Sequence, residues 1–193
     1  MDAIKDLKGL DIYLIDQMMK GRLNNSLRVL DAGCGTGRNL IPLSRDNYNI
    51  SGFDPNHNCI NRLKEELEDP CIVKVDSIEE FNSQYKFDFI ICNAVLHFAK
   101  DHLHFNLLFK SLVNLLSSKG VLFIRMTSDI GQENMKDVGS GRFILPDKSE
   151  RYLITRERID ELCKIFNLKL MDPVKSLNVD GERVMTTIVF AVK

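Results

Sequence analysis

Apolar residues fall at helical spacing near the start of the chain. Ile4, Leu7, Leu10, Leu14, Ile15 and Met18 predict an amphipathic helix over 3–20, ended by Gly21. Then the period changes. Leu27–Asp31 is a short β-like run, three glycines follow (Gly33, Gly35, Gly37), and a helix is expected over 38–45. Asn49–Asp54 reads as a second strand, and Pro55 as a helix start before an apolar face of Cys59, Ile60, Leu63 and Leu67. Cys71–Val75 is a third strand, ending at Asp76-Ser77 before a short helix at Ile78 and Phe81. Phe87–Cys92 is almost continuously apolar, as a strand buried on both faces should be.

An apolar helix over 103–116, a Lys119-Gly120 turn and a fifth strand, Val121–Arg125, come next. Strands alternating with helices predict a doubly wound, Rossmann-like parallel sheet. Residues 127–153 break the rhythm with Gly131, Gly139, Gly141 and Pro146 and read as a long loop, a candidate lid. Thr155 can cap a helix running to Phe166. Two last strands, 168–175 and 184–192, are joined by Asn178-Val-Asp-Gly181, a hairpin signal that makes them antiparallel.

Composition narrows the class. A chain of 193 residues, 44% apolar and 27% charged, suits one globular domain over 1–193. A net charge of −1 provides no basic field for nucleic acid. No apolar run is long enough to span a membrane. The first residues lack a signal-peptide core, so a cytoplasmic location is expected. Five scattered cysteines without a C-x-x-C pair, and four histidines, predict neither a disulfide frame nor a metal site.

The informative stretch is Val29-Leu-Asp-Ala-Gly-Cys-Gly-Thr-Gly-Arg-Asn39, a buried strand entering a glycine turn that opens a helix. Glycines let a ligand press on bare backbone, in the crevice where parallel sheets bind ligands. The spacing is G-x-G-x-G, with Arg38 where a dinucleotide fingerprint needs its last glycine. Asp54, Asp76-Ser77 and Asn93 each end a following strand. Asp54 reads also as a turn aspartate, and Asp76-Ser77 as a helix cap.

This combination resembles the class I S-adenosylmethionine-dependent methyltransferases. VLDAGCGTG is similar to their glycine motif, GFD to their ribose-binding acid, VDSIEEF to their adenine region, and CNAVLHF to their motif after strand four. GCGTGRN is most similar to small-molecule enzymes of the tellurite-resistance type. The resemblance implies a seven-stranded sheet in the order 3-2-1-4-5-7-6 with strand 7 antiparallel. It implies S-adenosylmethionine as cofactor, held around its methionine part by Asp31, Gly33, Gly35 and Gly37, with Cys34, Thr36, Arg38 and Asn39 also cofactor-binding. Asp54 would hold the ribose, Asp76 and Ser77 the adenine, and Asn93 and Ala94 the amino-acid end.

A sulfonium methyl is already activated, so orientation does most of the work and a base is optional. If a base exists, His97 is the candidate, with a packing role equally open; His57 is weaker. The acceptor site is expected from Tyr13, Asp16 and Gln17 on the first helix and Arg142, Arg151 and Tyr152 on the loop, all of which also read as solvated or structural. The arginines with Lys148 suggest an anionic acceptor. A small-molecule methyltransferase, monomeric or homodimeric, is the main expectation. The alternatives are a protein or RNA methyltransferase, a non-catalytic S-adenosylmethionine-binding partner subunit, and a nicotinamide oxidoreductase.

Overall fold

The computed structural model describes residues 7–69 and 72–193. The chain has two compact units, Met1–Ile91 and Cys92–Lys193. In the first, helix α1 covers Ile12–Met19. It starts later than the apolar spacing suggests, because Asp11 is extended and its side chain accepts the Tyr13 N–H, which sets the cap. The expected turn at Ile4 lies outside the described residues.

Strand β1 (Arg28–Ala32) lies parallel to β2 (Asn49–Asp54), with Asp31 opposite Gly52 and Ala32 opposite Phe53. Between them helix α2 is only Leu40–Arg45; residues 35–39 are turns, so the helix opens two residues later than expected. Helix α3 (His57–Glu66) is capped by Asn56, whose Oδ1 accepts the Asn58 and Cys59 N–H groups, and Pro55 precedes this cap instead of opening the helix. Ile60 and Leu63 are its buried face. Strand β3 (Val73–Val75) follows and pairs parallel with β2. Cys71 lies outside the described residues. No helix forms after β3: Ser77 Oγ accepts the Glu80 N–H and holds a turn that stacks Phe81 on Phe53, 4.2 Å between ring centroids. Strand β4 (Phe87–Asn93) pairs parallel with β1.

The second unit begins within β4. A 3-10 turn (Leu96–Phe98) leads to helix α4 (His102–Leu115), capped by Asp101. Strand β5 is long, Leu116–Thr127, and starts directly after α4 with no turn at Lys119-Gly120. The expected loop is folded. Strands β6 (Lys136–Gly139), β7 (Arg142–Ile144) and β8 (Glu150–Tyr152) form an antiparallel meander. Ser140 (φ 56°) and Gly141 (φ 81°) take the left-handed region that a two-residue hairpin demands. Helix α5 (Arg156–Ile165) is capped by Thr155 as expected, its side chain accepting the Arg158 N–H at 3.1 Å.

Strands β9 (Leu168–Leu170) and β10 (Lys175–Val179) both pair antiparallel with β11 (Arg183–Val192), which pairs antiparallel with β5. The expected single outer strand is thus broken, at Met171–Val174, where Pro173 has no N–H to give the ladder. Asp180 (φ 53°) and Gly181 (φ 73°) make the hairpin turn. The hydrogen-bonded strand order is β3-β2-β1-β4-β5-β11-β10, with β9 also on β11. Taking β9 and β10 as one edge strand and β11 as the seventh gives 3-2-1-4-5-7-6 with strand 7 antiparallel.

Candidate cofactor and acceptor site

The glycine turn in the first unit is held from β2. The Phe53 carbonyl accepts the Gly33 N–H at 2.8 Å and the Cys34 N–H at 2.9 Å. Asp54 Oδ2 accepts the Gly35 N–H at 3.0 Å, and its Oδ1 accepts the Asn56 N–H at 2.9 Å. Each carboxylate oxygen keeps a second lone pair for a ligand hydroxyl. A Cβ at Gly35 would meet no atom within 4 Å, so the space over that turn is open. Gly37 is closed in by contrast: at φ 83°, its Cβ would come within 2.4 Å of Leu63 Cδ1. Gly52, which sequence reasoning passed over, lets β2 approach the turn; a Cβ there would meet Leu40 Cδ1 at 2.4 Å and the Asp31 carbonyl oxygen at 3.2 Å.

Asp31 is buried at the end of β1, and its Oδ2 has no hydrogen-bond partner. Burial pushes its pKa up to about 7; the Arg38 charge works against this shift and the Asp54 charge adds to it. A cationic group beside Asp31 would satisfy the orphaned oxygen and favour the carboxylate. Cys34 is buried and burial drives its thiol far up, so it packs instead of reacting. Thr36 and Arg38 are exposed, and Asn39 is buried.

Asp11 is a second residue that sequence reasoning missed. Its fully buried carboxylate pairs with Arg38 at 3.2 Å, and its N–H donates to Asn39 Oδ1 at 3.2 Å, tying the start of α1 to the glycine motif. Asp76 takes its N–H to the Asp54 carbonyl at 3.2 Å, which joins the ends of β2 and β3, while its Oδ1 accepts the Ser77 N–H. A cavity of about 490 Å3 lies on the α2 side of the turn, against Lys8, Thr36, Arg38, Ile41, Arg45 and Glu66. Its lining includes none of Asp31, Asp54 and Asp76.

Of the expected acceptor residues on α1, Tyr13 is half-buried. Asp16 is bound by Lys20 at 2.7 Å and by Gln17 at 3.0 Å, and Gln17 itself is buried. Asp16 is thus occupied within its own helix, and Gln17 is packed inside.

In the second unit β4 ends at Asn93. Ala94 takes a left-handed φ of 61°, unusual for a residue with a Cβ, and donates to the Arg125 carbonyl at 2.7 Å. His97 follows on the 3-10 turn. It is buried, its Nδ1 has no partner, and burial lowers its pKa to about 4, helped by the charges of Arg151 and Arg183. A general base works best with a pKa near the working pH, and this buried environment holds His97 neutral and weakly basic.

Arg142 is neutralised by Glu150 at 3.0 Å across the meander. Tyr152 is core: its ring stacks on Phe105, 4.6 Å between centroids, and its hydroxyl meets His102 Nδ1 at 3.0 Å. It therefore packs the meander onto α4 and does not face an acceptor. Arg151 behaves differently, its guanidinium lying 4.8 Å from the ring centre of the exposed Phe98. His57 is exposed at the first turn of α3. Among the described residues no His, Cys, Asp and Glu cluster is arranged to hold a metal, and no helix is long and apolar enough to cross a membrane.

A glycine turn braced by the carboxylate that ends the next strand, at the first strand of a 3-2-1-4-5-7-6 sheet, defines a class I methyltransferase fold. Residues 13–172 match the family model described as a methyltransferase domain, and the chain belongs to that family; its cofactor is S-adenosylmethionine. The trans-aconitate 2-methyltransferase of Escherichia coli O1:K1 / APEC is 32% identical over 114 residues, 58% of this chain and 44% of that protein. The probable S-adenosyl-L-methionine-dependent methyltransferase TehB of Haemophilus influenzae (strain 10810) is 33% identical over 86 residues, 43% of this chain and 30% of that protein. The chain thus spans less than half the length of these relatives. Magnesium protoporphyrin IX methyltransferase from Synechocystis PCC 6803 shares the fold at a TM-score of 0.72 and 14% identity, over 98% of this chain and 81% of that one.

Proposed function

We propose that this chain transfers the methyl group of S-adenosylmethionine to a small-molecule acceptor by in-line displacement, leaving S-adenosylhomocysteine. The observation that carries the reading is the pairing of Asp54 with the Gly35 N–H beside the orphaned Asp31 oxygen. Asp54 holds the ribose hydroxyls with its remaining lone pairs, and Asp31 faces the cationic amino-acid end. Asp76 and Ser77 hold the adenine; Asn93 and Ala94 offer backbone to the methionine part. The cofactor supplies an activated methyl, so the protein's task is to align the acceptor and exclude water, a contribution of up to roughly 7–11 kcal/mol in well-oriented cases. No base is assigned. A relative named for trans-aconitate supports a small acceptor.

The test is calorimetric titration with S-adenosylmethionine, S-adenosylhomocysteine and NAD. Micromolar binding of the first two without NAD is expected, followed by methyl transfer from labelled cofactor. Binding of NAD alone would remove the reading.

A further inference from the structure

The second unit carries positive charge around one buried, unsatisfied nitrogen. His97 Nδ1 is buried without a partner on the 3-10 turn that leaves β4. Strand β8 packs on this turn and brings Arg151 over Phe98. Among the described residues Arg151 pairs with no carboxylate; its guanidinium donates to the carbonyl of its neighbour Glu150, at 2.8 Å. Arg183, at the start of β11, adds a second charge felt by His97, partly offset by Asp147 at 3.1 Å. Arg142 adds none, being paired with Glu150.

Building on the methyltransferase reading, we infer that the acceptor is a small carboxylic acid, held as its anion by the Arg151 guanidinium with Arg183 behind it, and that His97 is a positioning residue that hydrogen-bonds it. A planar guanidinium matches a carboxylate fork to fork. A carboxylate has about four lone-pair sites, so a clamped oxygen keeps one for attack. The chemistry fits a weakly basic His97, because a carboxylate at neutral pH has no proton to lose. One carboxylate oxygen forms the new C–O bond with the methyl carbon. The S–C bond breaks with its electron pair staying on sulfur. The products are a methyl ester and S-adenosylhomocysteine, and no proton moves.

The experiment incubates the full chain with methyl-labelled S-adenosylmethionine and a panel of unbranched mono- and dicarboxylates, their amides, and simple amines and phenols. Label is expected on acids only, in a form that mild alkali releases as methanol. Arg151→Gln should raise KM for the acid about 10–100-fold, the loss of a charged hydrogen-bond pair, with cofactor affinity unchanged. Arg151→Lys should recover part of this. His97→Gln should move KM more than kcat. Alkali-stable label on amines or phenols would overturn the carboxylate while leaving the methyltransferase intact, as would an unchanged KM in Arg151→Gln. Absence of cofactor binding would instead strike the methyltransferase reading itself.

Discussion

The Gly35 amide donates to Asp54 Oδ2 at 3.0 Å, so the acid at the end of β2 braces the glycine turn as well as facing outward. Asp54→Ala removes this brace and, on the proposed reading, the ribose ligand as well. S-adenosylmethionine binding should weaken by about 2–3 kcal/mol, roughly 30–150-fold, on the scale of charged hydrogen bonds. Calorimetry checks this, and an unchanged Kd would sink the ribose assignment.

Asp31 predicts a proton signature. Its pKa of about 7 in the ligand-free protein should fall when a cationic group arrives, so cofactor binding near pH 6.5 should release a proton. The observed heat should then change with the ionisation enthalpy of the buffer. Asp31→Asn should abolish that dependence and weaken binding.

Asp31 and His97 also act in opposite senses on stability. Asp31 has a folded pKa raised above its ordinary 3.8, so its stabilising contribution is full below that value and lost as pH rises through about 7. His97 has a folded pKa lowered from 6.5; its contribution is full above 6.5 and lost as pH falls through about 4. Denaturant unfolding between pH 4.5 and 7 should show Asp31→Asn gaining on the natural protein as pH rises. His97→Gln should gain as pH falls. Curves that stay parallel at every pH would refute both assignments.

Gly37→Ala tests the close approach of α3 to the turn. The new Cβ would need Leu63 and Ile41 to move and would sit at a positive φ, so a loss of about 1–3 kcal/mol is expected in thermal or denaturant unfolding. Gly35→Ala meets no atom and should cost less stability, although it too has a positive φ and should still impair cofactor binding.

Much of this was legible in the chain. The Asp-Gly of residues 180–181 specified its hairpin because few residues other than glycine, asparagine and aspartate accept a left-handed turn. Thr155 announced its helix. The meander is hard to read from the chain because Gly139 and Gly141 look like loop markers, whereas Ser140-Gly141 is the tight turn between two strands. Asp11 was invisible because its partners Arg38 and Asn39 lie 27 and 28 residues away. Gly52 was hidden because a glycine inside a strand signals weakness until the neighbour pressing on it is known. The neutrality of His97 arises from burial and from arginines on β8 and β11, which no local motif encodes.

The two ends of the meander are fastened to each other. Ser128 bridges Ile154, the Ile154 N–H donates to the Thr127 carbonyl at 3.2 Å, and Thr127 Oγ1 donates to the Tyr152 carbonyl at 3.1 Å. A segment whose entry and exit are already clamped can change length at little entropic penalty, about 0.6 kcal/mol per doubling. The 129–151 stretch, which stops before the core ring of Tyr152, is thus an exchangeable cassette. New acceptor preferences could be installed there by transplanting a foreign insert of different size, with the glycine turn and its carboxylates left as they are.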